Sequence, residues 1–165
     1  MRVQTINNIN NNPNFGALKG LRYVGEFNPS TNLEHAKIVD TVINSKAIKQ
    51  FGEKYNFLAR FERYVFSNMD IFYSLNLLPV LVEETPKEEE KIEKLPLAFC
   101  VATVREEFDR TAINNFMSKI RFTTLDELES LLQYKIADQK KEQLAEKAKK
   151  EEHSRILNEI KDAGF

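Results

Sequence analysis

From Thr124 to Asp162 the chain contains neither proline nor glycine. Thr124-Leu125-Asp126-Glu127 matches a capping box, with a hydroxyl at the cap and a carboxylate three residues on. Nothing after it stops a helix before Gly164. At ~1.5 Å per residue such a helix is ~58 Å long. A compact chain of 165 residues has a diameter of only roughly 40 Å. The helix therefore has to leave its own domain or break.

Its faces predict where it leaves. At about 100° per residue, Leu125, Leu128, Leu132 and Ile136 share one narrow face. The same face continues as Gln139, Gln143, Glu146, Lys150 and His153. It turns polar after Ile136, and departure from the core is expected there. Glu146 with Lys150 and Glu151 with Arg155 are i, i+4 pairs suited to a solvated helix. Apolar residues return only at the end. The seam is no sustained heptad, which disfavours a long coiled coil. Ile156, Leu157 and Ile160, with His153 on the same side, are too few to fold alone but enough to anchor a helix in a groove. These four are the expected partner-binding residues, and the expected partner is a protein or a second copy of this chain.

Upstream, hydrophobic periodicity predicts the order β-α-β-β-β-α-α. Leu18–Phe27 alternates, with Leu21, Tyr23 and Phe27 opposite Arg22 and Glu26. Thr31 or Asn32 can cap the next segment, where Leu33, Ala36, Val39, Ile43, Ala47 and Phe51 recur at helical spacing. Asn44-Ser45 interrupts that stripe and predicts one kinked helix or two short ones. Phe57–Phe66 and Ile71–Val82 read as a hairpin across Ser67–Asp70. Pro79 within the second run points to an edge strand or a bulge. Residues 83–94 form an acidic block expected to be a solvated loop. Leu95–Val104 is the fourth strand, with Ala98, Cys100 and Ala102 as a small face that a helix can approach closely. Asp109 can cap a short helix carrying Ile113, Phe116, Met117 and Ile120. The expected fold class is α+β, a mostly antiparallel four-stranded sheet covered by the first helix, with a long C-terminal helix. The expected organisation is a flexible asparagine-rich arm at 1–15, an α+β domain at 16–136 and a charged helical extension at 137–165.

Composition narrows the function classes. With 24 Lys and Arg against 25 Asp and Glu, the chain has no overall field to hold nucleic acid. One cysteine excludes a disulfide framework and a cysteine-built zinc site. No apolar run approaches the roughly 20 residues of a membrane span, and no membrane association is expected. Residues 1–15 lack the apolar core of a secretory signal, and Asn28-Pro29-Ser30 fails as a glycosylation sequon because of its proline. The expected setting is cytoplasmic.

Catalytic constellations are missing from the pattern. Cys100 sits within Leu-Ala-Phe-Cys-Val-Ala and reads as a buried structural thiol. His35 has Val39 at i+4 where a metal site needs a second ligand, and reads as an exposed surface histidine. The glutamate runs, Glu106-Glu107 included, lack the contrasting environments that acid–base pairs require. None of the five glycines belongs to a phosphate-binding loop. No catalytic, metal or cofactor-binding residue is expected, and the chain reads as a non-catalytic interaction or assembly protein acting through its terminal extensions. The alternative is a single-stranded nucleic-acid module, with Arg60 and Arg63 at phosphates and Tyr64 and Phe66 stacking bases on a sheet face. Core aromatics give the same alternation and are the stronger explanation of it.

Overall fold

Ser45 divides the first helical stretch in two. In the computed structural model, which describes residues 18–80, 91–106 and 111–164, helix α1 spans Leu33–Ile43 and helix α2 spans Lys46–Lys54. The asparagine-rich arm of residues 1–15, most of the acidic loop and Asp109 lie outside the described residues. Asn32 Oδ1 caps α1 by accepting from the N–H groups of Glu34 at 2.9 Å and His35 at 3.2 Å. Ser45 Oγ accepts from Ile48 N at 3.4 Å and starts α2 in the same way. Both helices turn their apolar stripes inward, Ile38, Val39 and Val42 from α1 and Ala47, Ile48 and Phe51 from α2.

Strands β1 (Leu21–Gly25), β2 (Phe57–Val65), β3 (Ile71–Pro79) and β4 (Phe99–Glu106) form one sheet in sequential order. The fold is α+β, but the sheet is mixed. β1 and β2 run parallel, pairing Leu21 with Ala59 and Tyr23 with Phe61, whereas β2–β3 and β3–β4 are antiparallel. The reason is the α1–α2 crossover, which carries the chain back to its starting end before β2 begins. β1 leaves the sheet at Gly25, where φ is +69° and a Cβ would sit 2.2 Å from the Arg63 carbonyl oxygen. Only glycine fits there.

Two expectations about the strands are corrected. Pro79 marks neither an edge nor a bulge: β3 lies between β2 and β4, and Pro79 is its last residue, beyond the final β4 pairing of Leu77 with Phe99. A missing N–H costs no ladder bond there. The bulge is in β4, since Leu75 pairs with Ala102 but Asn76 pairs with Cys100, leaving Val101 as the extra residue. Val101 and Ala102 therefore both face the main core, and the expected small face does not exist.

The four α-helices of the described residues cover the same side of the sheet, rather than the first alone. Helix α3 (Thr111–Phe122) contributes Ile113, Phe116 and Ile120, and helix α4 (Leu125–Asp162) contributes Leu128 and Leu132. Around the fully buried Phe51 and Phe61, each large apolar side chain stabilises the fold by about 1.5–3 kcal/mol. Thr124 Oγ1 accepts from Glu127 N at 3.2 Å, while the Glu127 carboxylate accepts from Thr123 Oγ1 at 3.2 Å. Glu129 then ties α4 to the end of α2 through Lys54 Nζ, 2.7 Å away, and the Tyr55 hydroxyl. Every residue from Lys140 to Gly164 is exposed. α4 continues into solvent as one unbroken helix.

Candidate functional site

Among the described residues, the sheet's other side is covered at one end. A turn of 3₁₀ helix at Ile92–Lys94 leads into Leu95 and Ala98, which pack on Leu58 and Leu78. Beyond this cover the sheet face lies open as a groove of about 570 Å3. The alternation of β2 brings Glu62 and Tyr64 into it, followed by Phe66, and the pairing of β3 with β4 brings Asn76 beside Cys100.

Glu62 and Asn76, which line this groove, are buried, as is Arg60 next to Glu62. Arg60 is 3% exposed, Glu62 7% and Asn76 1%. Arg60 Nε lies 3.1 Å from Glu62 Oε1, the Tyr64 hydroxyl donates to that same oxygen at 3.3 Å, and Asn76 Nδ2 donates to Glu62 Oε2 at 2.8 Å. Burial raises the Glu62 pKa above the usual carboxylate value, and Arg60, Tyr64 and Asn76 pull it back. Removing either charge of such a pair typically costs about 3–5 kcal/mol, because its partner stays buried. Asn76 Oδ1 has no hydrogen-bond partner among the described residues. An unsatisfied buried acceptor typically costs about 1–3 kcal/mol.

Cys100 is exposed and lines this groove, which corrects the expectation of a buried thiol. The β4 bulge sends Phe99, Val101 and Ala102 to the core and leaves Cys100 on the open side. Neighbouring sheet atoms still crowd its sulfur and hold the thiol pKa above its ordinary value. The group is a protonated thiol at neutral pH, not an activated nucleophile.

His35 corrects a second expectation, being 2% exposed. Asn28 N donates to Nδ1 at 3.0 Å, so the neutral ring carries its proton on Nε2, which lies 3.0 Å from the Tyr73 hydroxyl. Arg63 Nε donates to the same hydroxyl at 3.0 Å, and its guanidinium reaches Glu26 at 3.1 Å and Glu106 at 3.6 Å. Burial, followed by the Arg63 charge, lowers the His35 pKa. Burial raises that of Tyr73. The cluster lies on the helix-covered side, with Phe27 stacked on the His35 ring at 4.6 Å.

Of the residues expected on a nucleic-acid face, Tyr64 and Phe66 share the groove, with Phe66 51% exposed. Arg60 is buried against Glu62 and does not line the groove, and Arg63 belongs to the opposite side with Tyr73. Strand alternation separates positions 63 and 64 onto different faces. His153, Ile156, Leu157 and Ile160 all lie on the projecting part of α4, the three aliphatics 45%, 48% and 45% exposed. Glu62 and Asn76 carry no signal in the sequence, since each is ordinary alone and only the β2–β3 pairing brings them together. Among the described residues, no three His, Cys, Asp or Glu side chains are grouped to hold a metal ion, and no helix is long and apolar enough to cross a membrane. No protein-family model matches the chain, and no curated protein or solved structure matches it either.

Proposed function

We propose that this chain is a non-catalytic interaction or assembly protein whose C-terminal helix carries the contact. The observation behind this reading is the state of α4: from Lys140 to Gly164 every residue is exposed, yet Ile156, Leu157 and Ile160 cluster near the tip. Aliphatic side chains at i, i+1 and i+4 form one side of a helix, the arrangement that a groove on a partner protein accepts. Full burial of each on a partner adds up to about 1.5–3 kcal/mol. The pairs Lys150–Glu146 and Arg155–Glu152 keep both signs of charge around the trio. Both arginines expected at phosphates are engaged by carboxylates, which favours a protein partner over nucleic acid. An exposed free thiol fits a reducing cytoplasmic setting.

The test is the double variant Ile156→Asp, Ile160→Asp. Sedimentation over a range of concentrations reads self-association, and affinity capture with the intact chain reads a heterologous partner. Binding should be abolished in the variant while stability changes by less than about 0.5 kcal/mol. Loss of cooperative folding, or binding that persists unchanged, overturns the reading.

A further inference from the structure

The open sheet face carries an apolar surface on the side away from the four helices. Tyr64 and Phe66 line its groove together with half-buried Ile92 and exposed Cys100. Phe72, directly opposite Tyr64 in the β2–β3 register, extends this surface toward the hairpin and meets Phe66 edge to face at 5.4 Å. Among the described residues, two charged side chains line the groove. Glu62 is buried and already engaged by Arg60, Tyr64 and Asn76, whereas Lys91 is exposed. The surface on offer is therefore aromatic, with one positive charge beside it. Its complement is an aliphatic ridge bordered by carboxylates.

The tip of α4 has that chemistry. Glu152 and Glu159 stand four residues before and three residues after Ile156, so both border the aliphatic trio on one flank. The tip cannot reach the groove of its own chain. Leu128 and Leu132 seat α4 on the helix-covered side of the sheet, while the groove opens on the other. From Leu132 to Ile156 the unbroken helix carries the tip about 36 Å away. Resting on the reading that the tip makes the contact, we propose that its partner is a second copy of this chain. Ile156, Leu157 and Ile160 of one copy seat against Tyr64, Phe66 and Ile92 of the next, with the acidic flank at Lys91. One tip and one groove per chain make this contact head-to-tail, so assembly continues from copy to copy or closes as a ring.

The test is sedimentation of full-length variants, alone and mixed. The intact chain should gain mass with concentration, past the dimer or up to a closed ring. The tip variant Ile156→Asp, Ile160→Asp and the groove variant Phe66→Asp should each stay monomeric alone, because each lacks one half of the contact. Mixed in equal amounts, they should form a heterodimer and nothing larger, since one working tip then meets one working groove. An intact chain that stays monomeric, a groove variant that associates like the intact chain, or a mixture that fails to pair overturns the proposal. Affinity capture of other proteins through the tip tests the underlying reading separately in each case. Because Phe66→Asp can disturb the hairpin, Lys91→Glu serves as a second variant at an exposed position. It should weaken association about threefold, within what a surface ion pair contributes, and Glu152→Lys with Glu159→Lys in the same chain should restore it. Association unchanged by Lys91→Glu overturns the proposal. Cys100 lines the groove and is the only cysteine of the chain, so its alkylation by iodoacetamide should slow as the intact chain is concentrated. Equal slowing in the tip variant overturns the proposal.

Discussion

His35 Nε2 meets the hydroxyl of Tyr73, 38 positions away, at 3.0 Å, and the same oxygen accepts from Arg63. The contact joins the first turn of α1 to the middle of the sheet. It also ties folding to the neutral form of the ring, since a proton on Nδ1 would face the Asn28 N–H donor.

The pH dependence follows with a definite sign. The folded-state pKa of His35 is lowered by burial and by Arg63, while the unfolded chain titrates near about 6.5. Between those two values the unfolded state binds more protons, so stability falls as pH drops below about 6.5 and levels off below the folded value. Urea midpoints should show this slope, no steeper than about 1.4 kcal/mol per pH unit for one group, and His35→Gln should flatten it. An unchanged slope in the variant would remove His35 as its source.

Gly25→Ala should be costly and Gly20→Ala should not. At Gly25 the left-handed φ costs an alanine about 1–2 kcal/mol, and its Cβ would press on the Arg63 carbonyl. At Gly20 an added Cβ meets only the Leu58 Cβ, at an ordinary 3.9 Å. Chemical denaturation should show at least about 2 kcal/mol lost at position 25 and less than about 1 at position 20. Similar losses at both would mean that the exit from β1 is not the constraint.

Cys100 should react in the native protein without denaturant, to completion and slowly at neutral pH, because its thiol is exposed yet its pKa is raised. Cys100→Ala and Cys100→Ser should each change stability by less than about 0.5 kcal/mol, as for a surface site. A thiol that reacts only above the melting transition would place it in the core after all.

Removing residues 140–165 should leave the melting temperature within about 2 °C, since every described residue of that segment is exposed. Leu128→Ala, at the fully buried root of the same helix, should cost about 2–5 kcal/mol. Calorimetry on both variants separates the root of α4 from its projecting part.

Local chemistry made much of the fold legible. Ser45 and Thr124 announce helix starts because a side-chain oxygen one position before a helix has a defined job, and Ser67–Asp70 announces a hairpin for a similar reason. The direction of β1 was not legible, because alternation is the same for parallel and antiparallel neighbours and only the crossover decides. The side on which Cys100 falls depends on one extra residue, Val101, that strand periodicity takes as regular. His35 was judged by its neighbours along the chain, whereas its partners come from the Phe27–Asn28 turn and β3. The buried pair of Glu62 and Asn76 escaped for the same reason, since each partner is ordinary alone.

The continuity of α4 gives the molecule something like a compass bearing. Leu128 and Leu132 clamp one end of a stiff rod, so the heading of Ile156, Leu157 and Ile160 is fixed by a residue count. Inserting one residue between Lys141 and Glu151 would swing the trio by about 100° and advance it by about 1.5 Å. Inserting seven would return it to within about 20° of its heading, some two turns farther out. A partner docked at the tip is therefore held at a set distance and azimuth from the sheet, as on a ruler that is also a protractor.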